Sequence, residues 1–290
     1  QTTRVVNVLE TLPVLVIEGE HSTRPLGSDA AFLRLALAPP PAEEGAGRPA
    51  GAGDRAVHLI RPTVLPVAEV GSIKDLEPYR VVILADVPRL PKAVAEAIDV
   101  PLIVWGCGNV DKDAEVLREV CEACQGKRLA LGPVQEGNHK KVGAPAIGYQ
   151  QVVIASTSID VNLCKQLNVL LGNLGVPDEL VLIDPTTGAL GYGIEYTYSV
   201  MERLRIAALQ GDSMTQQPMI CFVGEESWRQ KESKVGEGVP EAWGDWEKRA
   251  IIWEAITANT LLHAGADIVT LRHPKTIPLV KREIERLMEK

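Results

Sequence analysis

The chain has 290 residues, 46% hydrophobic and 23% charged, an ordinary globular balance with enough apolar material for a sizeable core. A formal net charge of -8 excludes a binder of phosphate backbones, which needs a basic patch to displace counterions. No apolar run approaches the roughly 18 residues that cross a bilayer, so a membrane span is excluded as well.

The opening Gln1-Thr2-Thr3-Arg4 lacks both an initiator Met and the apolar stretch of a signal peptide, and reads as the start of a processed or partial soluble chain. Cysteines stand at 107, 121, 124, 164 and 221. Their odd number, in a chain too long to need disulfides for stability, fits a reducing cytoplasm.

Short β-branched runs alternate with helix-length amphipathic stretches, the pattern of an α/β fold with a parallel sheet. Strands are expected near 13–18, 57–65, 80–85, 102–106, 128–131, 152–155, 180–184, 219–223 and 267–271. Between them, helices are expected at 29–37, 92–98, 111–124, 160–173, 195–210, 246–263 and 275–288. Asp160 and Asp111 are candidate N-caps just after strands. The stretch 38–53, rich in Pro, Gly and Ala, has little apolar surface to bury and reads as a disordered surface loop.

In parallel α/β folds, chemistry gathers at the C-terminal ends of strands. Those ends read Gly106-Cys107-Gly108-Asn109, Gly132 to Asn138, Ser156 to Asp160, Asp184 to Gly193, Gly224-Glu225-Glu226 and Arg272-His273-Pro274. Most carry amide, carboxylate or hydroxyl groups, and several carry glycines that let a ligand approach the backbone. Turns are built from the same residue types, so the competing reading is purely structural. The sharpest run is Asp184 to Gly193: a strand delivers a carboxylate, Pro185 stiffens the exit, and Gly188, Gly191 and Gly193 follow. Such a carboxylate would accept hydrogen bonds from the N–H edge of a pterin or from a corrin amide.

Several segments carry a resemblance: Trp105 to Asp113, Asp160 to Asn168, Ile183 to Tyr196, Met201 to Arg205, Ala208 to Asp212, Leu271 to Pro274 and the turn expected at Trp253-Glu254-Ala255. In this order the chain from about residue 101 to its end resembles the small subunit of the corrinoid/iron-sulfur protein, also called the delta subunit of CO dehydrogenase/acetyl-CoA synthase. The resemblance implies a (β/α)8 barrel of the TIM type, related to pterin-binding methyltransferases. It implies a partner large subunit that carries the iron-sulfur cluster and shares cobalamin with this chain. It also implies two further partners, a methyltetrahydrofolate methyltransferase and CO dehydrogenase/acetyl-CoA synthase, between which the cobalt carries a methyl group in the reductive acetyl-CoA pathway of carbon fixation. On that reading Cys107, Asn109, Gln135, Asn138, Asp160, Asn162, Asp184, Gly188, Tyr192, Gly193, Glu226, Arg272 and His273 are the candidate cofactor-binding residues. None is assigned a catalytic role.

The resemblance is read as stopping before residue 101. Segments 12–19, 32–39 and 79–91 instead resemble an amidotransferase-like, flavodoxin-type segment, although the first 100 residues hold no cysteine to act as an amidotransferase nucleophile. This suggests a fusion of two unrelated parts, 1–100 and 101–290. Six βα units come from the second part, so closure needs two strands from the first. The expectation is that the strands near 57–65 and 80–85 complete the barrel while the strand near 13–18 packs outside it.

Cys121 and Cys124 form a CxxC, but they share a helical face with Leu117 and Val120 and have no second ligand pair nearby, so helix packing is the stronger reading. His139, His263 and His273 lack metal-ligand spacing. Trp228, Trp243, Trp246 and Trp253 cluster around the last helices, either as packing or as a partner-facing patch. A rival reading is a methyltransferase that itself binds methyltetrahydrofolate at Asp184 with Asn109 and Asn162; a third is a fusion that has lost both functions.

Overall fold

The computed structural model describes residues 12–18, 60–66, 68–69, 81–85 and 101–289, and the chain divides into two units between Val100 and Pro101. The helices expected at 29–37 and 92–98 and the loop at 38–53 lie outside the described residues.

In the first unit, β1 (Leu12–Glu18), β2 (Ile60–Pro66) and β3 (Val81–Ala85) form a parallel sheet in the order β2-β1-β3. β1 is central, with Leu15 opposite Thr63 on one side and Val82 on the other. Its run Val14-Leu15-Val16-Ile17 is apolar and buried on both faces, the composition of an interior parallel strand. The expectation that this strand packs outside while the next two complete a barrel is therefore corrected. An apolar strand has no side to offer solvent and takes the middle of a sheet of its own. The order is the one with which flavodoxin-like sheets begin.

In the second unit six strands neighbour one another in chain order: β4 (Ile103–Trp105), β5 (Ala130–Val134), β6 (Val152–Ser156), β7 (Val181–Asp184), β8 (Ile220–Cys221) and β9 (Ile268–Val269). All pairs are parallel. The β4–β7 ladder is joined to the β8–β9 ladder at Ile183, which bridges Met219 and donates its N–H to the Pro218 carbonyl at 2.8 Å. Adding every strand on the same side of the last is the winding of a βα barrel rather than of a doubly wound sheet. Among the described residues β4 and β9 remain edges, so the unit is an α/β arc of six parallel strands, and a closed (β/α)8 barrel is not formed by them.

The connecting helices are α1 (Val110–Ala123), α2 (His139–Gly148), α3 (Val161–Leu174), α4 (Ile194–Leu209), the short α5 (Val223–Ser227) and α6 (Lys231–Lys234), α7 (Trp246–His263) and α8 (Thr276–Met288). Their starts follow from capping chemistry. Asn109 accepts from Lys112 N–H, Asp160 from Asn162 and Leu163, and Asp245 from Lys248, each satisfying donors that a helix start leaves unpaired. α3 ends where Gly175 turns left-handed at φ +96°. α1 buries Ala114, Leu117, Val120 and Cys121 at helical spacing.

Burial pushes the Cys121 thiol up to about 12 and also raises Cys124, and Cys121 packs beside Leu117 and Val120 on the buried face of α1. α2 was not foreseen, because Gly143, Pro145 and Gly148 within ten residues argue against a helix; the complete burial of Val142 and Ala146 overrides that preference. No helix among the described residues is long and apolar enough to cross a membrane.

Candidate functional site

A cavity of about 210 Å³ opens at the C-terminal ends of β4 to β8. Its aromatic side is Trp105, at the end of β4, whose ring centroid lies 4.0 Å from that of Phe222, just past β8. Gly132 makes room for Trp105: a Cβ there would stand 2.5 Å from the indole ring. β5 runs on through this glycine and Pro133 to Val134, beyond the strand end expected at 131.

The polar side comes from the ends of β5, β6 and β7: Gln135, Ser156, Asp184 and Thr187. Ser156 Oγ and Thr187 Oγ1 are buried and make no well-formed hydrogen bond among the described residues, Ser156 standing close to Asp184 and Thr187 close to Cys221, so each can still pair with a bound polar group. Asp184 is 5% exposed, and burial pushes its carboxyl up to about 6. The Ser156 hydroxyl, close by though outside good hydrogen-bond geometry, and the Thr186 N–H lean the other way, while the charge of Glu225 adds to the rise. The rim is α5 and the turn after it, where Arg229 pairs with Glu225 and lies 3.7 Å from Glu226. Two carboxylates against one guanidinium leave the mouth net acidic, which favours neutral or cationic N–H donors over phosphates and carboxylates.

The exit from β7 is held in a strained conformation. Thr186 is β-branched yet adopts φ +63°, a left-handed setting such residues rarely take. Three contacts impose it: its N–H donates to Asp184 Oδ1 at 3.0 Å, its hydroxyl donates to the Thr157 carbonyl, and its carbonyl accepts from Thr197 Oγ1 at 3.1 Å. Thr197 Oγ1 also accepts from Gly188 N–H at 2.8 Å. Gly188 and Gly193 thus build the turn: a Cβ on Gly188 would stand 2.6 Å from the Gly193 carbonyl oxygen. Gly188→Ala should therefore open this turn and cost roughly 1–3 kcal/mol in a urea titration; an unchanged midpoint would show that the turn is slack.

The candidate residues divide accordingly. Asp184, Gln135 and Glu226 line the cavity. Asn138 lies beneath it, 1% exposed, donating to the Pro133 carbonyl and accepting from Gln135 N–H, and so shapes the loop after β5. Cys107 is exposed on a loop wrapped around the buried Asp113, whose carboxylate accepts from the N–H groups of Cys107 and Gly108 at 2.8 and 3.0 Å. Asn109 and Asp160 are helix caps, and Asn162 is an exposed residue of the first turn of α3. Tyr192 is half-exposed and donates to Glu232 at 3.2 Å. Of the three residues expected to hold methyltetrahydrofolate, only Asp184 lines the cavity.

Arg272 and His273 form a separate cluster after β9. The His273 ring stacks on Trp228 at 5.8 Å and 9°, and the Arg272 guanidinium lies 5.5 Å over the same indole. Beneath them Glu254 of α7 is fully buried and accepts from Arg272 N–H, His273 N–H and the Thr276 hydroxyl at 2.5, 3.1 and 2.6 Å. Glu254 lies mid-helix rather than in a turn. Ser156, Thr187 and Glu225 belong to the strand-end segments but not to the candidate set, and Trp105, Phe222, Arg229 and Glu254 lie outside that set as well. A readable signal existed for Glu254: it is an acidic residue at a core position of α7, between Ile251 and Ala258. Among the described residues no group of three His, Cys, Asp or Glu is placed to hold a metal ion.

The family model described as CO dehydrogenase/acetyl-CoA synthase delta subunit matches residues 85–279. The acetyl-CoA decarbonylase/synthase complex subunit delta of Methanopyrus kandleri is 40% identical over 197 residues, 68% of this chain and 48% of that protein. Its counterpart in Methanosarcina mazei is 34% identical over 236 residues, 80% of this chain and 51% of that protein. The chain spans about half the length of the curated relatives it matches. The solved structure of dihydropteroate synthase from Thermus thermophilus in complex with 6HMPPP superimposes with a TM-score of 0.47 at 15% identity, covering 77% of this chain and 87% of that one. The family match begins before residue 101, and an alignment over 80% of the chain reaches well into the first hundred residues, so the likeness does not stop where the sequence reading ended it. The chain belongs to the CO dehydrogenase/acetyl-CoA synthase delta subunit family.

Proposed function

We propose that this chain is the barrel-type part of the small subunit of a corrinoid/iron-sulfur methyl carrier, working in the cytoplasm. In this reading it holds cobalamin jointly with a large subunit that carries the iron-sulfur cluster. The carrier delivers methyl groups from a methyltetrahydrofolate methyltransferase to CO dehydrogenase/acetyl-CoA synthase in the reductive acetyl-CoA pathway of carbon fixation. The observation that carries the reading is the strand-end cavity, where Ser156, Thr187 and the buried Asp184 carboxyl, the two hydroxyls lacking well-formed hydrogen bonds, line a site with a net acidic mouth. That donor-seeking lining fits the neutral carboxamides around a corrin. Ser156, Asp184, Thr187 and Gln135 would hold those amides, and the Trp105–Phe222 pair offers an apolar surface beside them. When bound, cobalamin supplies the nucleophilic metal centre that carries the methyl group; this chain's residues orient the macrocycle and keep water from one side of it. At about 210 Å³ the cavity is smaller than the roughly 300–1,000 Å³ of pockets that enclose a whole ligand, as suits a ligand shared between two chains.

A second reading, a methyltransferase that binds methyltetrahydrofolate itself, is favoured by one observation: a single buried carboxyl at the cavity, suited to a pterin's N–H edge. Co-expression with a large subunit, followed by size exclusion and a corrin absorbance scan, separates the two. The carrier reading expects co-elution and a coloured complex. A chain that elutes alone and colourless, yet binds methyltetrahydrofolate tightly without a partner, establishes the enzyme instead.

A further inference from the structure

Beside the strand-end cavity lies a second one of about 190 Å³, between the ends of β5 and β6 and the first half of α3. The two share Gln135 and Ser156. Ser156, 6% exposed, lines both. One wall of the second cavity is apolar, from Leu163, Leu167 and Leu170; the other is polar, from Thr157, Ser158 and Gln166.

Its electrostatics select a chemical class. Among the described residues the only charged one lining it is Glu136. The nearby cation on α3, Lys165, is paired with Asp212 at 2.5 Å. The N–H groups of Asn162 and Leu163 at the helix start, which would otherwise attract an anion, already donate to Asp160. An incoming carboxylate or phosphate would meet an acidic group and no cation in the lining, whereas a carboxamide finds hydroxyl-bearing and amide side chains and a hydrocarbon wall for its stem.

We infer that this second cavity is a subsite for a neutral, carboxamide-terminated arm of the ligand seated at Asp184, and that it discriminates against an arm ending in a carboxylate. The inference rests on the corrinoid reading and deepens it: the arm is one of the peripheral carboxamides of the corrin. A folate, whose arm ends in carboxylates, is disfavoured at the same place.

The test uses the full chain in complex with the large subunit. The probes are hydroxocobalamin and its monocarboxylic acid derivatives, in each of which one peripheral carboxamide has become a carboxylate. At least one derivative should bind about tenfold more weakly than hydroxocobalamin. Glu136→Gln should recover part of that loss. Leu163→Trp, a change at a partly exposed position that fills the second cavity and leaves the first open, should weaken hydroxocobalamin about fivefold and abolish the discrimination. Binding of all derivatives within about twofold, or discrimination that survives Leu163→Trp unchanged, overturns the subsite while leaving the corrinoid reading standing. If no corrinoid binds any form of the complex, the functional reading fails and the subsite fails with it.

Discussion

Replacing Glu254 by alanine should lower the unfolding free energy by roughly 2–4 kcal/mol and release the loop after β9. The side chain is fully buried in α7 and accepts from Arg272 N–H, His273 N–H and the Thr276 hydroxyl, so its loss strands three donors and leaves a void. Glu254→Gln retains the volume but turns an amide N–H₂ toward donors, and should fall between wild type and alanine. The loop carries His273, stacked on Trp228, so tryptophan emission should shift in the folded variant as well as on unfolding. Urea titration read by circular dichroism, with fluorescence in the absence of denaturant, checks both effects. An alanine variant within about 0.5 kcal/mol of wild type, emission unchanged, would show that the loop holds itself.

Asp184→Asn should stabilise the protein at neutral pH and weaken the site. The native carboxyl is pushed by burial from its ordinary 3.8 up to about 6, so between those values the folded state holds more protons than the unfolded chain. The stability contribution of this group is complete below about pH 4 and is lost as pH rises through about 6. About two pH units of displacement correspond to roughly 2–3 kcal/mol, which the neutral asparagine does not lose. Stability curves of wild type and variant should therefore converge near pH 4 and separate by that amount above about pH 7. Retention of corrinoid by the complex should drop at least about tenfold in the variant, because the amide presents a donor to the ligand's own donors. A constant stability difference across roughly pH 4–8 would contradict the burial-driven shift. Stabilisation with undiminished corrinoid retention would remove Asp184 from the site.

Much of the second unit was legible because its elements satisfy local rules. α1, α3 and α7 begin within a residue of the expected positions, where Asn109, Asp160 and Asp245 cap them, and the short apolar runs of β6 and β7 have few alternatives to interior strands. α2 was invisible because Gly143, Pro145 and Gly148 oppose a helix that burial alone sustains. The end of β5 was set too early because Gly132 and Pro133 read as turn residues, whereas Gly132 is needed to admit the Trp105 ring.

At the site, the strand-end rule selected Asp184, Gln135 and Glu226, which line the cavity, but the same rule also selected caps. An Asn or Asp after a strand satisfies a helix start as readily as it faces a ligand, which is how Asn109 and Asp160 entered the candidate set. The functional reading rested on ordered short motifs rather than on spacing, and the family to which those motifs pointed is the one to which the chain belongs.

By itself, then, the sequence determined the α/β class, the order and approximate bounds of the second unit's six strands and of every long helix in it but α2, the family and the acidic carboxyl at the end of β7. Capping, periodicity and motif identity act over a few residues and can be read there. Only the tertiary structure decided that β1 takes the centre of a separate sheet. Only it showed that Ser156 and Thr187 are buried beside Asp184 without well-formed hydrogen bonds, and that Glu254, more than a strand away in sequence, clamps the loop carrying Arg272 and His273. Those outcomes depend on which groups share a low-dielectric space and which donors find acceptors across the fold.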